Sequence, residues 1–323
     1  MRFKAALAAL VASALVLTGC GNGAGSDDVT KIGGVTIVSH PSLDAIWAGF
    51  KDGMKEAGYE EGKNVSYDFQ NPQGDQSTLN SIASTFANSD NDLFVAIATP
   101  PAQALANAIT DKPVIFSGVT DPVAAGLVKS LDAPGANVTG ASDANPPKAV
   151  LELIKEIKPT AKTIGIVYTS SEVNSEVQTK QAQEAAKELG LEVKVATVTN
   201  SNEVQQAAAS LDVDAFYVGN DNNVVSALEA LIQEAEKKKA IVVTSDEDSV
   251  SRGATAAISI DYYQQGKDTA KLAVQILKDG MKPADVPVSF QQKLKLVVNP
   301  AAATKQGTDI PQSVLDKADK KVG

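Results

Sequence analysis

Residues 93–128, LFVAIATPPAQALANAITDKPVIFSGVTDPVAAGLV, hold two short apolar runs, each passing directly into small polar residues. The runs at 93–98 and 113–116 have the length and continuity of strands buried on both faces of a parallel sheet. Between them, residues 102–109 are rich in good helix formers and start behind a proline pair, where a helix can begin. A strand, a helix and a second strand in so short a stretch make a βαβ unit, whose crossover is right-handed. The loops after both strands therefore open at one edge of one sheet. Open α/β sheets bind ligands at that edge, because strand ends leave backbone groups unpaired and helix N-termini aim donors into the crevice.

The same pattern recurs further along the chain. Residues 215–219 end in Asn220-Asp221-Asn222 and run into a helix over 224–237, after which residues 240–244 end in Ser245-Asp246-Glu247-Asp248. Two sheets are expected to face each other across polar strand ends. A chain of 323 residues, 43% of them hydrophobic, is long enough to bury two cores. Its net charge of −10 and pI near 4.7 leave no basic face for nucleic acid.

The first twenty residues stand apart from this pattern. Arg2 and Lys4 precede an apolar run over 5–17, too short for a membrane span and typical of a secretory leader. It ends in Leu17-Thr18-Gly19-Cys20, with small residues before the only cysteine. This resembles the bacterial lipobox, which implies lipidation of Cys20 after removal of a lipoprotein signal peptide at 1–20. An ordinary leader with a free thiol is the alternative. A single cysteine allows no disulfide framework, so the cores must hold by packing. Residues 21–30, glycine-rich and polar, read as a flexible tether that holds a soluble domain at the membrane surface.

From there the chain alternates. Strands are predicted at 35–38, 65–69 and 137–141 around the stretch already described, with helices at 43–57 and 77–86. A proline-rich crossover, Asp143-Ala144-Asn145-Pro146-Pro147, leads to a helix at 149–157 and strands at 163–167, 191–198, 254–260 and 295–298. Helices at 175–189, 204–211 and 262–277 complete the series. The fold class is α/β, a doubly wound parallel sheet written twice.

Catalytic chemistry finds little support. His40 is the only histidine, and no GxSxG elbow, Walker loop, HExxH or paired CxxC occurs. The Gly33-Gly34 pair precedes the first predicted strand, so a dinucleotide fingerprint is also missing. Neither a cofactor nor a metal is expected. A carboxylate-pair hydrolase built on Asp44, Asp121, Asp221 or Asp246 is the remaining enzymatic option. The strand ends instead carry neutral donors: Ser39, Thr99, Ser117, Thr120, Thr169, Ser170, Ser171, Asn174 and Asn220. Hydroxyls and helix N-termini suit a carboxylate, and a carboxylate such as Asp246 suits an ammonium, so together they match a free α-amino acid. Each serine or threonine also reads as a helix N-cap, Asp246 and Asp248 as caps before Ser249, and Asn220 and Asn222 as turn formers. His40 reads equally as a locally bonded loop side chain, and Trp47 as core.

Several segments resemble one family: residues 40–44 (HPSLD), 96–100, 116–128 (FSGVTDPVAAGLV), 137–140 (NVTG), 245–250 (SDEDSV) and 260–263 (IDYY). They are similar to the substrate-binding lipoproteins of a tryptophan/tyrosine-type ABC importer. The resemblance implies a type I periplasmic-binding-protein fold, two lobes joined by a three-crossing hinge. Lobe 1 would comprise 31–142 plus 262–290 and lobe 2 143–261 plus 291–323, with Asp261 and Tyr262 in a hinge strand. It implies an amino acid as ligand, hydrophobic or aromatic, such as tryptophan or phenylalanine. By position it implies that Thr99 and the backbone of Ser117, Gly118 and Val119 hold a carboxylate, and that Asp246, with Asp221 as its rival, meets the amine. Asn220 and Asp261 would make further contacts and Tyr262 would pack on an aromatic ring. With Ser39, His40, Pro100, Ser170, Ser171 and Asn174, these are the candidate ligand contacts. The implied partners are a membrane permease and an ATPase, with the protein a lipid-anchored monomer on the extracytoplasmic face of the bacterial membrane. A ligand-sensing lipoprotein and a sugar receptor on the same fold are the alternatives.

Overall fold

The computed structural model describes residues 29–323. The expected signal peptide, Cys20 and nearly all of the expected tether lie outside the described residues. Thr30, placed in the tether by its composition, already belongs to the first strand.

The first sheet gathers β1 (Thr30–Val35), β2 (Val65–Gln70), β3 (Leu93–Ile97), β4 (Val114–Val119) and β5 (Val138–Ser142), with helices α1 (Pro41–Glu56), α2 (Gln76–Ala87) and α3 (Thr99–Ala108) between its first four strands. The chain then crosses to α4 (Pro147–Ile157), β6 (Thr163–Thr169), α5 (Val173–Glu188), β7 (Glu192–Val198), α6 (Val204–Ser210) and β8 (Ala215–Val218). Next come α7 (Asn222–Ser226), α8 (Leu228–Lys238), β9 (Ile241–Thr244), α9 (Asp248–Ser251) and β10 (Ala256–Ser259). A second crossing leads to α10 (Tyr262–Leu277) and β11 (Ser289–Phe290). A third leads to β12 (Lys295–Val298), α11 (Pro300–Lys305), α12 (Gln312–Leu315) and β13 (Lys320–Lys321).

Sheet one runs β11-β5-β4-β3-β1-β2, parallel throughout, and sheet two runs β13-β12-β10-β9-β8-β6-β7 with β12 antiparallel to β10. All of β3 and β4 is buried, as their unbroken apolar runs require, whereas the edge strands β2 and β7 carry exposed residues. One apolar core surrounds sheet one, and three clusters among the described residues lie against sheet two.

The first strand lies five residues earlier than its pattern suggests, at Thr30–Val35, with Gly33 and Gly34 inside it. Rings crowd both glycines: a Cβ on Gly33 would stand 2.8 Å from Phe94, and one on Gly34 would stand 2.8 Å from Phe69 and 2.9 Å from Trp47. These glycines mark close packing rather than a loop. The helix expected at 224–237 is broken at Ala227, where the Arg252 guanidinium takes the Val225 carbonyl at 2.7 Å. Asp261 and Tyr262 are not in a strand. Asp261 caps α10, accepting from Gln264 N at 2.9 Å, and Tyr262 opens that helix.

Helix α10 returns to pack along α1 through glycine. A Cβ on Gly49 would collide with the Tyr263 carbonyl, and one on Gly266 with the Ile46 carbonyl. Only backbones without a side chain can approach so closely. Gly266→Ala is therefore expected to destabilise the protein by about 3 kcal/mol through overpacking. A urea titration should show a lower midpoint at unchanged slope. A wild-type midpoint would show that the two helices separate without penalty.

Candidate functional site

The carboxyl ends of the two sheets face each other across a cavity lined from both sides. In sheet one the order reverses around β1, between β2 and β3, and in sheet two around β6, between β7 and β8. Such switch points open crevices in doubly wound sheets. The loop after β1 contributes His40 and the first turn of α1 contributes Ser42 and Leu43, β4 contributes Gly118, and Asp143 stands one residue beyond β5. From the other side come Asn174 in α5, the Asn220-Asp221-Asn222 turn after β8, Val225, and Asp246 after β9. Tyr262 closes the floor at the second crossing.

Two polar contacts tie the halves together. Ser42 Oγ, in the first turn of α1, lies 3.1 Å from Asp246 Oδ1 and 3.0 Å from Asp248 Oδ2 across the cleft. His40 gives α1 no side-chain cap, so these carboxylates supply the negative charge that the helix N-terminus favours. At the hinge, Asp143 Oδ2 accepts from Asn220 Nδ2 at 2.8 Å and from the Tyr262 hydroxyl at 3.3 Å.

The three cavity carboxylates differ in what surrounds them. Asp221 accepts from Thr169 N at 2.5 Å, Thr169 Oγ1 at 2.8 Å and Val224 N at 2.9 Å. Asp246 accepts from Ser249 Oγ at 2.6 Å and Ser249 N at 2.9 Å besides Ser42. Asp143 Oδ1, in contrast, is buried with no partner at full hydrogen-bond geometry, and the nearby Thr120 hydroxyl favours the charged form. Burial pushes the Asp143 carboxyl up to about 6, against the hydrogen bonds it receives. Asp246 is also raised by burial. Beneath the cavity, burial and then the adjacent Asp221 raise Glu172 to about 8, while Asn174 and Asn222 donate to it. His40 is lowered to about 3 by burial and by Arg252, so its imidazole is neutral at physiological pH, with Nδ1 unpartnered.

Of the residues singled out by sequence, His40, Gly118, Asn174, Asn220, Asp221, Asp246 and Tyr262 line the cavity. The others lie outside its lining. Ser39 is exposed and bonds Asp44 at 2.7 Å. Ser170 and Ser171 are exposed, and Pro100 is half-buried at the start of α3. Ser117 is buried against Thr269, 2.8 Å away, and Val119 is enclosed in β4. Asp261 pairs with Lys295 at 2.7 Å.

Thr99 is buried with an unpartnered hydroxyl. It follows Ala98, whose φ of 82° and ψ of 163° a residue with a side chain adopts only under strain. Pro100 and Pro101 lack N–H groups, so among the first three helical residues only Thr99 carries one. The sequence reading missed Asp143, Ser42, Leu43, Asn222 and Val225. The position of Asp143 at the start of the crossover was the available signal, because segments between lobes necessarily border the cleft. Trp47 stacks on Phe69 at 4.3 Å and on Phe50 at 5.4 Å, away from the cavity lining.

This architecture, two doubly wound sheets with a polar cavity at their facing strand ends, is that of a two-lobed solute receptor. The chain belongs to the ABC transporter substrate binding protein family, whose pattern it matches over residues 31–322. It is a substrate-binding protein of an ABC transporter and not an enzyme, and such proteins work outside the cytoplasm. It is 40% identical over 315 residues to a tyrosine-binding protein of Clostridioides difficile (strain R20291), covering 93% of this chain and 91% of the relative. An ABC domain from Streptococcus pneumonia in complex with L-Trp is 41% identical, with a TM-score of 0.88 over 91% of this chain and all of that one. A ligand-free, open substrate binding protein with adhesive properties from Clostridium difficile is 40% identical over 91% of this chain and 99% of that one, with a TM-score of only 0.69. Among the described residues, no helix is long and apolar enough to cross a membrane.

The raised carboxyls make a stability prediction. A carboxyl with a folded value above its unfolded one binds more protons when folded, so its contribution to stability falls as pH rises between the two values. The windows run from 3.8 to about 6 for Asp143 and from 4.5 to about 8 for Glu172. Asp143→Asn and Glu172→Gln should therefore raise the melting temperature at pH 7.5 by a few degrees. At pH 4 both gains should vanish. Thermal denaturation that shows the same difference from wild type at both pH values would refute the assignment.

Proposed function

We propose that the protein is the lipid-anchored solute receptor of an ABC importer, and that it captures an aromatic amino acid between two closing lobes. The carrying observation is the mixed lining of the cleft. Leu43, Val225 and Tyr262 offer an apolar wall beside buried polar atoms without partners on His40, Asp143, Asn174 and Asn220. A ligand with a ring at one end and charges at the other suits such a lining. The relatives that bind tyrosine or are complexed with tryptophan support the same ligand class.

Only the closed arrangement lets both lobes touch the ligand at once, so binding shifts the equilibrium between open and closed forms. The Ser42 contact to Asp246 and Asp248 forms only when the lobes meet, and it adds to the closed state. A membrane permease then reads the closed form, an ATPase drives transfer, and Cys20 holds the receptor as a monomer at the outer membrane–water boundary through its lipid.

Calorimetry on the purified protein should show saturable binding of L-tyrosine, L-tryptophan or L-phenylalanine, and none of glucose or galactose. Sugar binding without amino-acid binding would overturn the ligand class. Ser42→Ala should weaken amino-acid binding by roughly fivefold, the effect of one lost hydrogen bond, through faster release. Unchanged dissociation in stopped flow would remove the cross-lobe contact from the mechanism.

A further inference from the structure

Glu172 lies beneath the cleft, only 5% exposed. Its place in the chain is the N-cap of α5, but its side chain makes no capping bond. N-caps are normally Ser, Thr, Asp or Asn, whose short side chains reach the N–H groups of the first turn. The carboxyl of Glu172 is turned toward two asparagines instead. Its Oε2 accepts from Asn174 Nδ2 at 2.8 Å, from Asn222 Nδ2 at 2.7 Å and from Asn222 N at 3.3 Å.

Asn174 and Asn222 both line the cleft, one from α5 and the other from the head of α7. They follow the neighbouring strands β6 and β8, and the carboxyl of Glu172 is the group they share. Asn174 Nδ2 also donates to the Asn220 carbonyl at 2.8 Å, so both of its hydrogens are engaged and the amide cannot turn over. An asparagine free on an open wall loses rotamer freedom when a ligand fixes it. Here that freedom is given up on folding, before any ligand arrives.

Stability does not account for an acid at this place. The charged group that acts on Glu172 is a second carboxylate, Asp221, and burial together with that neighbour raises Glu172 to about 8. At neutral pH it keeps its proton and offers one acceptor oxygen and one hydroxyl, the same pattern as a glutamine amide. What the side chain achieves is the orientation of its two partners.

We propose that Glu172 is a positioning residue for the ligand: by accepting from both asparagines with one oxygen, it holds the sheet-two wall of the cleft in its ligand-receiving form. The inference rests on the reading of the cleft as an amino-acid site. It gives Glu172 no contact with the ligand, because the residue lies outside the cavity lining.

Glu172→Leu removes the acceptor at similar size, and Glu172→Gln keeps it. Calorimetry should show Glu172→Leu binding L-tyrosine about tenfold more weakly than wild type, and Glu172→Gln restoring all but about threefold of that loss. In a chain that also carries Asn174→Ala and Asn222→Ala, Glu172→Leu should cost no more than about twofold further, because nothing is left for the carboxyl to position. In nitrogen–proton NMR spectra of the free protein, the side-chain amide resonances of Asn174 and Asn222 should shift in Glu172→Leu and stay in place in Glu172→Gln. Should the leucine variant fold poorly, Glu172→Met takes its place. Equal losses in the leucine and glutamine variants, an undiminished cost of Glu172→Leu in the alanine background, or unmoved amide resonances would each overturn the positioning role while the amino-acid reading stands. If wild type binds none of L-tyrosine, L-tryptophan and L-phenylalanine, that reading fails and the positioning role fails with it.

Discussion

The clasp at Asp143 is the interaction on which the rest depends. One carboxylate oxygen holds Asn220 from the turn after β8 and the hydroxyl of Tyr262 at the head of α10. Asp143 itself stands where the chain first leaves sheet one. A single side chain thus joins the first crossing, the second crossing and a binding loop of the opposite sheet. Its other oxygen is buried. Burial disfavours the charged form and raises the carboxyl to about 6, against the hydrogen bonds it receives.

Close backbone packing at Gly49 and Gly266 binds α10 to α1, which makes the returning helix part of the sheet-one body. The cross-cleft contact of Ser42 with Asp246 and Asp248 is polar and single-residue, so it can form and break with closure. Among the three cavity aspartates, Asp221 and Asp246 accept backbone donors from the turns they begin.

Much of the architecture was legible in the chain. Buried parallel strands announce themselves as unbroken apolar runs, so β3, β4, β8 and β9 stood out, and the polar turns after them located the crevice. The first strand was misplaced because Gly33 and Gly34 look like a loop until the rings of Phe94, Phe69 and Trp47 are known to press on them. The break at Ala227 depends on Arg252, distant in sequence, reaching the Val225 carbonyl. The site was legible to the extent that it uses strand ends. Asp221 and Asp246 drew attention by their position, yet a capping role and a ligand role leave the same local signature. Asp143 was hidden in Asp143-Ala144-Asn145-Pro146-Pro147, a segment with the composition of a linker. Its significance comes from Asn220 and Tyr262, 77 and 119 residues away, and no local pattern records that meeting.

The central claim is that the Asp143 carboxyl is buried in the clasp that joins the two crossings. Carbon-detected NMR titration of that carboxyl tests it most directly. Burial outweighs the hydrogen bonds the group receives, so the account predicts a midpoint near 6. A midpoint at or below the ordinary aspartate value of 3.8 would contradict it.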